Sequence, residues 1–281
     1  MSNWRLIPFH VSDAFENMAA DEAIFRLMPL GHTPPTLRFY GWRPAAVSLG
    51  YFQNTAQACN LAVCRREGID VVRRPTGGRA VLHDGDLTYA LCAGVDEPPF
   101  PPGIAGAYRV IGRCLQEGLH RLGIDATPAP GNPAPPGVRD GSVACFARTA
   151  RDELLVGGRK ICGSAQARSR GAFLQHGSLL VRFDAARASR CLVAEAEERE
   201  RTRRMLTRAV TAVDTCLAPP LAMDAIVRVL AEGFAAVLHA DLRPGALTDA
   251  EEALKARLKR EKYRPEALNG EGEPDETAAP H

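Results

Sequence analysis

The chain has 281 residues, 46% hydrophobic and 24% charged, with a formal net charge of +2. That is the balance of a globular protein with a sizeable core, not of a disordered one. So mild a basic excess argues against a nucleic-acid partner, and aromatics at 6% offer little for stacking on bases.

The N-terminal stretch MSNWRLIPFHVSDAFENM lacks the order of a secretion signal, and no apolar run is long enough to span a bilayer. A cytoplasmic protein without a membrane partner is expected. Ser12 and Asp13 can cap a helix over AFENMAADEAIFRLM, which Pro29 and Gly31 stop. TLRFYGW and AAVSLGYF read as two strands joined through Pro44. TAQACNLAVCRREG reads as one helix ending at Gly68, with cations in its last turn. IDVVRR is the next strand. RAVLH and LTYALC follow as a strand pair, with Asp-Gly as the hairpin turn between them.

A helix is expected over GAYRVIGRCLQEGLHRLG. Thr127 to Ser142, rich in Pro and Gly, reads as an irregular, mobile loop. RDELLVGGRKICGSAQARSRGAFLQHGSLLV should then fold as a three-stranded meander. Its turns fall at Gly157-Gly158 and at Ser169 to Gly171. Helices are expected at Ala222 to Leu238 and Thr248 to Lys262, followed by an acidic, disordered tail. Strands that arrive mostly as hairpins predict an α/β (α+β) fold, a mixed and mainly antiparallel sheet flanked by helices.

Several residues carry possible chemistry. Arg73, Gly77, Gly78 and Arg79 lie in VVRRPTGGRAVLH, which has neither the Gly-Lys-Ser/Thr of a Walker loop nor a G-x-G-x-x-G spacing. A surface turn and a wall where backbone approaches a ligand both remain open. Lys160 follows a tight turn, and strand alternation puts it on one face with Cys162 and Ser164, with Ile161 and Gly163 on the other. The small residues Gly163, Ser164 and Ala165 leave room against that strand. His83 and His176 are candidate bases, or hydrogen-bonded structural residues. The eight cysteines include no C-x-x-C pair and no zinc spacing, so thiols without a metal are expected. Cys145 closes a loop; Cys162 is its rival as nucleophile. The cluster ERERTRRMLTR reads as a solvated face, or as a place where an acidic partner docks.

VVRRPTGGRAVLHDGDLTYAL and GRKICGSAQARSRGAFLQHGSLLV together resemble the two signature segments of the biotin/lipoate protein ligase and octanoyltransferase superfamily. ENMAADEA resembles that family's first helix. The likeness runs in matched order from about Asn17 to Leu180. ATP-dependent lipoate ligases typically have a third glycine where this chain has Arg79. RRPTGGRAVLH followed by LTY is similar to the octanoyltransferases that act on the glycine-cleavage H protein. The resemblance implies a ligase-like catalytic domain over residues 1–262, with its core at about 33–240 and a tail from 263. Many ligases carry an extra C-terminal domain, for which two helices and a tail leave no space.

The resemblance also implies a reaction. Cys145, in SVACFARTA, matches the family's nucleophile, and Lys160 matches the lysine that lowers its pKa. An octanoyl group would pass from octanoyl-acyl carrier protein to Cys145, then to a lysine of the H protein or another lipoyl domain. No cofactor is implied: thioester exchange is nearly energy-neutral and amide formation runs downhill, so ATP is not needed. Arg73, Gly77, Gly78, Arg79, His83 and His176 would frame the pocket, with Gly163, Ser164 and Ala165 opposite. A monomer is expected. An ATP-dependent lipoate or octanoate ligase and a non-catalytic lipoyl-domain-binding module are the alternatives.

Overall fold

A computed structural model describes residues 2–31, 33–130 and 153–264. In chain order the first half holds β1 (Ser2–Ser12), α1 (Ala14–Leu27), β2 (Thr36–Trp42) and β3 (Ala46–Leu49). Next come α2 (Thr55–Ala58), α3 (Leu61–Arg66), β4 (Asp70–Arg73), β5 (Val81–His83) and β6 (Asp86–Gly94). They are followed by α4 (Ile104–Arg121), β7 (Thr127–Pro128), β8 (Leu154–Val156), β9 (Arg159–Ser169) and β10 (Ala172–Leu180). The chain continues through α5 (Ala185–Leu192), α6 (Ala196–Ala209), α7 (Val213–Cys216), α8 (Met223–Leu238), β11 (Ala240–Pro244) and α9 (Asp249–Glu261).

Eight strands form one large sheet in the order β11-β1-β2-β6-β10-β9-β8-β7, and β4-β3-β5 form a small one. Pairing in the large sheet is antiparallel except where β1 meets β11 and β2. The meander β8-β9-β10 turns at Gly157-Gly158 and at Arg170-Gly171, all four with positive φ, as tight two-residue hairpins require.

One face of the large sheet carries Leu37, Phe39, Leu87, Tyr89, Leu91 and Phe173, and packs on the apolar sides of α4 and α8. The opposite face is covered in two pieces. At one end α1 and α9 pack on Tyr40, Ala90, Cys92 and Leu174. At the other, α5 and α6 pack around Leu180. Between these two pieces the chain linking β4 to β5, which contains Gly77 and Gly78, lies over the sheet.

Three expectations need correction. RAVLH and LTYALC are strands but not a hairpin: β5 pairs with β3, and β6 with β2 and β10, so Asp84-Gly85 carries the chain between two sheets. Local turn chemistry names a turn without naming the partners of the strands it joins. The single helix over Thr55 to Gly68 is two, broken where Asn60 leaves helical geometry and its side chain caps Val63 N. Thr127–Pro128 is not loop but pairs with β8; the remainder of that stretch, from residue 131 to Cys145 and on to 152, lies outside the described residues. Helix α1 is buried almost all round, including Asn17, Asp21 and Glu22. The tail beyond 264 is also outside the described residues.

Candidate active site

Lys160 sits on β9 beside a bulge. Leu154 pairs with Cys162 but Leu155 pairs with Lys160, so Ile161 is the extra residue. The bulge breaks the expected alternation. Ile161 and Cys162 both enter the apolar cluster under α4 and α8. The Lys160 side chain instead folds over Gly163 on the other face: a Cβ on Gly163 would lie 2.7 Å from Lys160 Cε and 2.8 Å from its Nζ. Lys160 and Cys162 therefore do not share a face. Nζ donates to Glu153 Oε1 at 2.5 Å, and both residues are buried. A buried ammonium needs such a carboxylate, because desolvation of a lone charge costs several kcal/mol. Glu153 is a residue the sequence reading missed.

Gly163 and Ala165 share that face with Ser178 and His176, their direct partners on β10. Across from Ala165 is Gly78, whose φ of +91° suits glycine alone. A Cβ on Gly78 would stand 3.9 Å from Ala165 Cβ, which brings the Gly-Gly stretch and the GSA strand face to face. Ser164 points the other way, its Oγ 2.7 Å from Tyr89 OH beneath the sheet.

The arginines divide differently from expectation. Arg73 does not reach into this space; its guanidinium donates to the carbonyls of Gly50, Tyr51 and Gln53 and to Thr55 Oγ1. Arg74, which sequence alone did not single out, is buried directly behind the Gly-Gly stretch. It donates to Gly77 O at 2.8 and 3.2 Å, to Arg79 O at 2.8 Å and to Ser48. Burial lowers its pKa to about 10. Arg79 is half-buried and contributes its carbonyl to Arg74.

Neither candidate histidine opens onto the cleft as a free base. His83 Nδ1 is 2.8 Å from Asp86 Oδ2 and its Nε2 is 2.8 Å from Ser48 Oγ, while its ring stacks on Trp42. His176 Nδ1 is 2.9 Å from Asp21 Oδ2 and its Nε2 is 2.6 Å from Thr76 Oγ1. Burial lowers the His176 pKa, opposed by its hydrogen bond to Asp21. Cys162 is a poor nucleophile, since burial pushes its thiol up to about 12. Cys145, the residue on which the resemblance places the chemistry, lies outside the described residues. In the Arg-rich cluster, Glu200 on α6 is held down to about 2 by hydrogen bonds from Arg203 and Arg204, all on a solvated face.

The family described as the lipoyl protein ligase A/B catalytic domain matches residues 13–235. An octanoyltransferase LipM of Halalkalibacterium halodurans is 36% identical over 273 residues, 96% of this chain and 99% of the relative. The octanoyltransferase LipM of Symbiobacterium thermophilum is 40% identical over 265 residues, 93% of this chain and 96% of the relative. Among solved structures, a bi-partite lipoate protein ligase from Thermoplasma acidophilum, studied with its E2 lipoyl domain, superposes with a TM-score of 0.78. It is 28% identical, and the match covers 95% of this chain and 96% of that one.

Proposed function

The chain belongs to the lipoyl protein ligase A/B catalytic-domain family and is an octanoyltransferase of lipoate biosynthesis; we propose that it works through a thioester on Cys145. In this reading the thiolate of Cys145 attacks the thioester carbonyl of octanoyl-acyl carrier protein. A tetrahedral oxyanion forms and collapses, and the phosphopantetheine thiolate leaves. The ε-amine of a lysine on a lipoyl domain, that of the glycine-cleavage H protein, then attacks the acyl-enzyme. Cys145 leaves as thiolate, an amide forms, and one proton is released. Splitting the transfer in two gives each step a good leaving group. Residues 1–262 act as one catalytic unit, a cytoplasmic monomer suffices, and ATP plays no part.

The observation that carries this reading is a buried ammonium laid over the bare Cα of Gly163, two residues along β9 from Ala165, which Gly78 faces. A free thiol titrates near ~8.5, so at neutral pH it gains from a fixed cation beside it. Glu153 keeps Lys160 over Gly163, at the end of the space where an octanoyl chain would lie between Gly77-Gly78 and Gly163-Ala165. Backbone N–H groups along that space are the natural donors to the oxyanion.

The test is intact-protein mass spectrometry after mixing with octanoyl-acyl carrier protein in the absence of ATP. The expected result is a hydroxylamine-sensitive octanoyl adduct on wild type that is missing from Cys145→Ala. Lipoyl-domain modification that needs ATP and free octanoate, with no adduct, would make the chain a ligase instead. An adduct retained by Cys145→Ala would move the nucleophile elsewhere. Glu153→Gln keeps the shape of its side chain but loses the charge that anchors Lys160. Loading measured by the same adduct should slow by about tenfold in that variant, in line with the loss of one charge-assisted hydrogen bond.

A further inference from the structure

The stretch from Thr76 to Arg79 forms one side of the proposed cleft, yet packing alone does not hold it. No described residue stands within 4 Å of where a Cβ on Gly77 would be, and Gly78 is exposed. Besides the bond from Tyr51 N to Thr76 O, it is held by a pair of hydrogen-bonded chains, each rooted in a buried aspartate and each passing through a histidine. The first runs from Asp21 Oδ2 to His176 to Thr76 Oγ1, with steps of 2.9 and 2.6 Å. The second runs from Asp86 Oδ2 to His83 to Ser48 Oγ, with steps of 2.8 and 2.8 Å. It continues through Arg74 to the carbonyls of Gly77 and Arg79. One chain grips the stretch at its first residue and the other at its middle and end.

The direction of the protons follows from the chemistry of the partners. An ionised carboxylate only accepts, so Nδ1–H of each histidine donates to its aspartate. In the tautomer that carries its proton on Nδ1, His83 Nε2 is an acceptor, and the Ser48 hydroxyl, which accepts from Arg74 Nη1, donates to it. In the same tautomer His176 Nε2 accepts from the Thr76 hydroxyl. In that tautomer each Nε2 lone pair is already filled by a hydroxyl from the protein. Both aspartates have further donors: Arg38 and Tyr40 on Asp21, and Thr88 and Ser178 on Asp86.

We infer that His83 and His176 are positioning residues that set the Gly77-Gly78 wall through Ser48-Arg74 and Thr76, and are not bases that take a proton from the acceptor lysine. The inference deepens the octanoyltransferase reading and rests on it for the identity of the substrate. A base for the acceptor amine is needed only in the second half-reaction, whereas a wall for the acyl chain is needed in both.

The experiment uses Thr76→Val and Ser48→Ala in the full-length protein, with Thr76→Ser as the conservative control and thermal melting to confirm folding. Amide hydrogen exchange over residues 76–80 should quicken in both variants and not in Thr76→Ser. Octanoyl loading from octanoyl-acyl carrier protein should need about tenfold more donor for half its maximal rate, as expected for the loss of one buried hydrogen bond. At saturating donor the rate should stay near wild type. Normal loading with transfer to the lipoyl domain alone slowed would make the histidines bases and overturn the inference. Unchanged exchange in either variant would also overturn it. Exchange decides the positioning role even if wild type loads no octanoyl group, an outcome that would sink the reaction and not the wall.

Discussion

Asp21→Ala should lower the stability of the protein by about 3–5 kcal/mol, the range found when one partner of a buried ion pair is removed. Asp21 is fully buried on α1 and serves three donors: Arg38 Nη1 at 2.7 Å, Tyr40 OH at 2.8 Å and His176 Nδ1 at 2.9 Å. Arg38 is 1% exposed on the central strand β2, so without Asp21 its charge has no route to water. Its remaining bonds, to Asn17 and His10 Nε2, bring no negative charge, and its stacking on the Tyr40 ring does not cancel a charge. Burial raises the Asp21 pKa, but Arg38, His176 and Tyr40 outweigh burial and hold it below the usual carboxylate value. Urea melts of wild type and variant at pH 7 read the loss directly.

The same hub gives wild type a signed pH dependence. The His176 pKa is lowered in the folded state, so below about 6.5 the unfolded chain binds a proton that the folded chain refuses. Stability should therefore fall as pH drops from about 6.5 toward the folded value, and be fully regained above 6.5. His10, lowered by burial and then by Arg38, adds in the same direction. Asp21 works in a lower window: its contribution is present above about 3.9 and is lost as pH falls through its depressed folded value. A stability profile flat between pH 5 and 7 would contradict the neutral, doubly bonded state assigned to His176.

Much of the fold was legible because the signals were local. The helices α1 and α9 announce themselves by their caps, α4 and α8 by their period, and the meander by the glycines of its turns. What was illegible depends on partners distant in sequence. β11 joins the sheet only by lying parallel to β1, at the other end of the chain. Asp84-Gly85 reads as a hairpin because a turn motif is silent about which sheet each strand enters. In the site, the glycines and Lys160 stood out by residue type, and their juxtaposition is what the fold adds. Arg73, expected at the pocket, turns away from it while Arg74 lies behind the glycines, because neighbours on an extended chain point to opposite sides and sequence does not say which side is the cleft. The bulge at Ile161 likewise moves Lys160 to the face opposite Cys162. Asp21, Asp86 and Glu153 were missed for one reason: a carboxylate in a sequence reads as surface, and only the fold shows it enclosed with its donors.

Gly50→Ala should slow octanoyl loading by about two orders of magnitude while leaving the protein folded. A Cβ at residue 50 would fall 1.8 Å from the carbonyl oxygen of Gly78, 2.7 Å from its carbon and 3.3 Å from that of Gly77. These are backbone atoms, so no rotamer change relieves the contact; one of the two segments has to move. Residues 50–53 are held by Arg73 and by the bond from Gly50 N to Gln53 Oε1. The Gly-Gly stretch is held by Arg74 and Thr76, with no described residue within 4 Å of a Cβ at Gly77. It is the part that yields, and a shift of an ångström or so in a substrate wall is enough for a hundredfold loss. The structural cost is that of modest overpacking, about 1–3 kcal/mol. Gly77→Ala provides the contrast: its Cβ meets no atom of the described residues and strains no positive φ, so a loss of loading there reports on what occupies the cleft. If Gly77→Ala and Gly50→Ala both load at the wild-type rate, the octanoyl chain does not lie against this backbone, and the cleft must be sought on another part of the sheet.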